Sequence, residues 1–233
     1  MTGLYGGIDP RDIPTYSIGE AARYLRIPVG TIRSWTVGRH YPVVDGSSFF
    51  RPLIPIANTA PRLLSFTNLI EVHVLRAIRQ YHKIQLDKVR TALDFIDEQF
   101  QVPHPLMSER FRTDGVNLFI ERYGSLINAS ERGQIALKDA LNAHLKRIEP
   151  DDTGLAIKLY PFTRSHEENS PRLVVIDPRI AFGRLVIAGT GIATSIVTER
   201  YQAGDSIDDL ADDYECDRLS IEEAIRCELP TAA

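Results

Sequence analysis

The sequence predicts a mixed α+β chain, mostly α, in three units. They are an N-terminal winged helix-turn-helix over residues 1–102, a small central α+β module over 103–172, and an acidic, helix-turn-helix-like domain of three helices over 173–233. Three observations predict it. Helix-capping signals head apolar stripes of helical period at both ends of the chain. Pro- and Gly-rich extended pieces separate those helices. Charge is also divided by segment: the 233 residues carry a formal net charge of -4, but residues 1–90 hold +6, residues 91–203 hold -2 and residues 204–233 hold -8. A chain basic at one end and acidic at the other suggests two different partners.

The first helix opens at Ser17, where Ser17 and Glu20 form a capping box ahead of Ile18, Ala21, Ala22 and Leu25 at i, i+3, i+4 and i+7. Arg26-Ile27-Pro28 ends it. A second helix opens near Val29, with Val29, Ile32 and Trp35 expected inward and Gly30, Thr31, Arg33 and Ser34 outward. Two short helices joined by a tight turn, the second displaying small and basic residues, form the pattern of a DNA-reading helix-turn-helix. Tyr41–Val44 and Phe49–Ile56, around Asp45-Gly46-Ser47-Ser48, read as an edge hairpin, the wing. Ile70, His73, Val74, Ala77, Ile78 and Tyr81 form a broad stripe on a helix over 68–81. From 86 to 100, Leu86, Val89, Leu93, Ile96 and Phe100 alternate spacings of 3 and 4, a two-heptad seam expected to pack on the preceding helix or to serve dimerisation.

Pro103 and Pro105 bracket a boundary. Beyond it, Val116–Glu121, the turn Tyr123-Gly124 and Ser125–Asn128 read as a hairpin. Residues 130–149 read as a helix with Leu137, Leu141, Leu145 and Ile148 on one side; 154–162 and 172–176 read as strands. The last unit begins near Ile176, with strand and turn over 182–191 and a helix over 192–203. Ser206 and Ser220 then cap two further helices, the latter carrying Ile221, Ala224, Ile225 and Leu229.

Several classes are excluded. No apolar run approaches the roughly 20 residues of a membrane span, and the start lacks the cationic and apolar regions of a secretory signal. Two cysteines, Cys216 and Cys227, make neither a disulfide framework nor a zinc site. A reduced cytoplasmic location follows. Gly183, Gly189 and Gly191 lack the Lys-Ser/Thr of a phosphate loop and serve tight turns. His40, His73, His82, His104, His144 and His166 sit at no ligand or triad spacing, so no enzyme, metal or cofactor is expected.

The stretch Y-S-I-G-E-A-A-R-Y-L-R-I-P-V-G-T-I-R-S-W resembles the winged helix-turn-helix of MerR-like regulators, and L-L-S-F-T-N-L-I-E-V-H-V-L resembles the segment leading into that family's third helix. The tail D-P-R-I-A-F-G-R-L-V-I-A-G-T-G-I, followed by G-D-S-I-D-D-L-A-D-D-Y and L-S-I-E-E-A-I, is similar to the small C-terminal domain of VapB-like antitoxins. H-P-L-M-S-E-R-F-R-T-D-G and L-K-R-I-E-P-D-D-T-G-L-A-I-K-L-Y-P resemble the linker module of long antitoxins of that type. The resemblance implies an autorepressor of a type II toxin–antitoxin operon, bound to operator DNA and to a VapC-like, PIN-type ribonuclease; the seam over 86–100 adds the expectation of a homodimer. Arg51 matches the wing arginine, followed by Pro52-Leu53 where the family carries an aromatic residue. Pro28 stands where the family favours Ser at the cap of the second helix.

The candidate DNA-binding set is therefore Arg26, Gly30, Thr31, Arg33, Ser34, Arg39, His40 and Arg51. Arg is the preferred bidentate partner of guanine, and Ser and Thr bind phosphate or base edges. Asp208, Asp209, Asp212, Asp213, Glu222 and Glu223 would repel phosphates and form the candidate toxin-facing set. Two other readings stand beside the antitoxin: a stand-alone regulator whose middle module senses a small ligand, and a scaffold that only mediates contacts.

Overall fold

The structure, a computed structural model, describes residues 7–44, 46–56, 61–80, 86–101, 104–164 and 170–229. The expected turn residue Asp45, the stripe residue Tyr81 and the boundary proline Pro103 lie outside them.

Helix α1 (Ile18–Leu25) starts on the predicted capping box, with both reciprocal hydrogen bonds formed between Ser17 and Glu20. It ends on Arg26 in the left-handed conformation. Helix α2 (Val29–Thr36) begins at Pro28, which offers no side-chain cap. Strands β1 (Arg39–Val43) and β2 (Gly46–Phe50) form a two-stranded antiparallel hairpin with Arg39 opposite Phe50. Gly38 enters it at φ +86°, where a Cβ would lie 2.5 Å from the Phe49 ring and the Phe50 carbonyl oxygen. Only glycine fits both constraints.

Helix α3 (Phe66–Gln80) is the central element. Phe66, Leu69, Ile70, Val72, Val74, Leu75, Ala77 and Ile78 are all buried, the mark of a helix covered on every side. Ser65 and Asn68 cap its start reciprocally. Helix α4 (Leu86–Phe100) spans the predicted residues, but its seam is occupied within the protomer. Val89, Ile96 and Phe100 are buried, with Leu86 and Leu93 packed against the same core. The covering element is α5 (Val116–Ile127), not α3. The seam expected for dimerisation is thus filled by the chain's own next helix.

The hairpin expected over 116–128 is this helix α5, entered through a π-turn at Phe111–Gly115. Val116, Phe119, Ile120 and Tyr123 are buried at i, i+3, i+4 and i+7, a helical period masked by residue types that favour strands. Gly124 lies inside the helix because α6 (Glu131–Leu145) passes close to it: a Cβ there would stand 2.9 Å from the Gln134 side chain.

Four short strands, β3 (Ile148–Pro150), β4 (Ala156–Leu159), β5 (Val174–Ile176) and β6 (Leu185–Ile187), form one antiparallel meander in chain order. It straddles the boundary expected at 172/173, so the central and C-terminal units share a sheet. Helices α7 (Thr194–Ala203), α8 (Ile207–Asp213) and α9 (Arg218–Glu228) close over a small second core of Ile187, Val197, Leu210, Ile221, Ala224 and Ile225. Helix α8 is capped by Ser206 as predicted. Helix α9 is not capped by Ser220; Asp217 is its N-cap, and Ser220 is buried inside the helix.

The two ends of the chain meet. The buried Tyr16 hydroxyl donates to the Gly183 carbonyl at 2.9 Å. Arg23 of α1 pairs with the Glu228 carboxylate of α9, which also accepts from Thr194.

Candidate nucleic-acid interface

The N-terminal surface is built by burying one side of α1 and α2. Ile32, Trp35 and Thr36 anchor α2 in the core, and the Trp35 carbonyl accepts from the amides of Leu53 and Ile54 at 2.7 and 3.0 Å. What faces solvent follows from that anchor. Gly30 and Arg33 are exposed, while Thr31 and Ser34 are half-buried. The Ser34 hydroxyl is turned inward, and its oxygen has no hydrogen-bond partner among the described residues. Val29, expected inward, is 44% exposed. Three-residue steps drift around the helix, so Val29 stands about 120° from Trp35, at the edge of the buried arc and in the first turn, next to exposed Arg33.

Arg26 is half-buried at the turn between the helices, and Arg39, His40 and Arg51 are exposed along the wing. His40 packs on Phe49, with ring centroids 4.9 Å apart. The wing is held to the body by Arg90 of α4, whose guanidinium donates to the carbonyls of Arg51 and Pro52 and stands 5.1 Å from the Phe50 ring centroid. Sequence reasoning missed Arg90, because nothing in a helical period marks a contact with a hairpin 39 residues away. Wing cations cluster at the root, whereas Tyr41, Val43 and Val44 leave exposed apolar surface further along it. Exposed arginines on α2 and the wing root can pair with phosphate oxygens and base edges.

At the other end, five of the six acidic residues expected to face a partner reach the surface. Asp208, Asp209, Asp212 and Asp213 are exposed and Glu222 is half-buried. Several are already paired: Asp208 and Glu222 with Arg218, and Asp213 with Arg200. Glu223, expected at the surface, is not there. It is 1% exposed, lies inside the fold, and pairs with Arg164 at 3.1 Å and Arg226 at 3.4 Å. Ile221, Ala224 and Ile225 face the core as expected, and Glu223 is buried beside them because Arg164 covers that flank of α9.

A buried polar cluster also lies where α3 of the N-terminal unit packs on α6 of the central one. His73 and His144 are fully buried with ring centroids 4.8 Å apart, and both lie against Phe162. The His73 Nε2 faces the His144 carbonyl at 3.1 Å. Burial, the neighbouring His144 ring and the nearby Arg76 and Arg147 push the His73 pKa well below its ordinary value. Burial pushes His144 down to about 4. Arg147, itself buried, donates to the carbonyls of Tyr160, Pro161, Ser170 and Pro171. In contrast, His104 is raised by its hydrogen bond to Glu71 at 2.9 Å.

Among the described residues no three potential metal ligands gather, and no helix is long and apolar enough to cross a membrane. Both cysteines are free thiols, and burial pushes Cys227 up to about 12, away from nucleophilic chemistry.

Comparison with known proteins gives matches at both ends. Residues 14–93 match a family described as "Putative DNA-binding HTH domain", and residues 174–226 match "Protein of unknown function (DUF433)". The chain is 30% identical over 223 residues to "Putative antitoxin VapB45" of Mycobacterium tuberculosis, covering 87% of this chain and 89% of that protein. It is 22% identical to "Uncharacterized protein Rv2308" of the same organism, over 92% and 90% of the two chains. The crystal structure of Rv2018 from Mycobacterium tuberculosis superposes with a TM-score of 0.65 at 25% identity, covering 92% of this chain and 98% of that one.

Proposed function

This chain belongs to the family of "Putative antitoxin VapB45", and we propose that it acts as a DNA-binding antitoxin. The observation that carries the reading is the exposed basic face of α2 and the wing root, Arg33 with Arg39 and Arg51, in a segment that matches a helix-turn-helix family. On this reading, α2 lies in the major groove with Arg33 on a guanine edge. Arg26, Arg39, His40 and Arg51 contact phosphates, and Thr31 and Ser34 sit at the margin of the contact.

The protein binds its own operator as a homodimer, joined outside the α4 seam, and represses its operon in the cytoplasm. The partner held by the C-terminal unit is a VapC-like, PIN-type ribonuclease. It is drawn to the exposed carboxylates Asp208, Asp209, Asp212 and Asp213 on a surface that repels DNA. The chain has a binding role rather than a catalytic one.

The experiment is co-expression with the product of the adjacent reading frame, followed by binding to the upstream DNA. Co-purification of the two proteins and loss of about 10- to 100-fold in DNA affinity on Arg33→Ala, with the melting temperature unchanged, support the proposal. An Arg33→Ala variant that binds like the parent refutes the assignment of α2.

One observation favours a second reading, a regulator that senses a small molecule. An open cleft of about 970 Å³ lies beside the end of α6, and Arg112, Lys146, Arg172, Asp139 and Phe162 are among the residues that line it. Absence of a co-purifying partner, with small anions raising the melting temperature, would favour that reading.

A further inference from the structure

The outward face of α2 contains two residues that are poor choices for the helix itself. Val29 opens the helix as an exposed β-branched side chain, and Gly30 follows it, also exposed. Glycine in a helix is less favourable than alanine by about 1 kcal/mol. Nothing in the protein requires it here: a Cβ at Gly30 would meet no atom within 4 Å, and Gly30 has no left-handed backbone angle. Nor does the first turn carry an acidic side chain, although acids are favoured there. A missing Cβ with open space in front of it suits a surface that another molecule must approach closely.

Arg33 stands one turn beyond Val29 on the same face. The rise between them is about 6 Å, just under two base-pair steps of about 3.4 Å.

We propose that Val29 reads the C5-methyl group of a thymine lying within two base pairs of the guanine held by Arg33. Gly30 lets the helix backbone come close enough for that contact. The inference rests on the DNA-binding reading above and adds a specific base to it. Apolar side chains discriminate thymine in the major groove through that methyl group, which cytosine lacks. Val29 is the exposed apolar side chain that α2 offers there, since Ile32 and Trp35 are buried.

The test uses the full chain and a duplex from upstream of its own reading frame, with thymines replaced one at a time by deoxyuridine. That change removes the methyl group and leaves base pairing intact. The parent protein is expected to lose about fourfold in affinity at one thymine per half-site, the worth of one buried methyl group. Val29→Ala should bind the thymine and deoxyuridine duplexes equally. Gly30→Ala should melt at a higher temperature than the parent yet bind the duplex at least about tenfold more weakly.

Sequence-specific binding that is indifferent to every thymine replacement overturns this inference alone. So does Val29→Ala that keeps the discrimination, or Gly30→Ala that binds at full strength. A parent protein that does not bind the unmodified duplex overturns the DNA-binding reading along with it.

Discussion

Replacing His73 by Gln and His144 by Asn should make the protein more resistant to mild acid. In the native state both imidazoles are buried against Phe162, and both are held neutral by burial, with Arg76 and Arg147 close by. In the unfolded chain each titrates near its ordinary 6.5. A group whose pKa is depressed by folding leaves stability intact above 6.5 and removes it as pH falls towards the folded value. For His144, whose folded value is about 4, the slope approaches 1.36 kcal/mol per pH unit. Lowering the pH from 7 to 5 therefore costs about 2 kcal/mol from His144 alone. For a chain of this size that corresponds to about 4–8 °C in melting temperature. His73 acts in the same direction.

The raised His104, paired with Glu71, acts in the opposite direction: its contribution is present below 6.5 and lost as pH rises through its folded value. It is common to parent and variant, so the difference between them isolates the buried pair. The substitutions keep an amide donor near the positions of His73 Nε2 and His144 Nδ1, the latter now bonded to the Ala140 carbonyl. Urea unfolding at pH 7, 6 and 5 gives the measurement. A parent that loses no more stability than the double variant between pH 7 and 5 refutes the argument.

Three further outcomes follow from the packing. Arg147→Met leaves four carbonyls without their buried donor and should lower stability by about 3 kcal/mol in urea unfolding. Gly183→Ala forces a Cβ onto the Tyr16 hydroxyl at φ +77° and should cost about 2 kcal/mol; in a Tyr16→Phe background the cost should fall, and additive costs in a double-mutant cycle would contradict the contact. Loss of the positive charge at Arg39 or Arg51 should reduce the magnitude of the salt slope of DNA binding by about 0.9 each, read from affinities across a salt series.

The candidate interface was legible in outline and wrong in detail at defined places. The capping box at Ser17, the limits of α4 and the Ser206 cap are local signals, and each appears where its residues stand. Val29 faces out: periodicity assigns a face but not where along and around the helix the core ends. The burial of Glu223 is not legible locally, because its partner Arg164 is remote in sequence. Valine, phenylalanine and Tyr-Gly in α5 favour strands and turns and point to a hairpin; burial of the helical stripe between α4 and α6 overrides them.

By itself the sequence determined the class of the fold, the helix-turn-helix at the basic end and the division of charge between the two ends. Those properties depend on caps, periods and composition, which act over a few residues. Only the tertiary structure decided that the α4 seam is filled from within, that the sheet of β3 to β6 joins the central and C-terminal units, and that Val29, Gly30 and Arg33 share an open face. Those outcomes depend on which apolar stripes pack together, and residues far apart in the chain settle that question through the core they share.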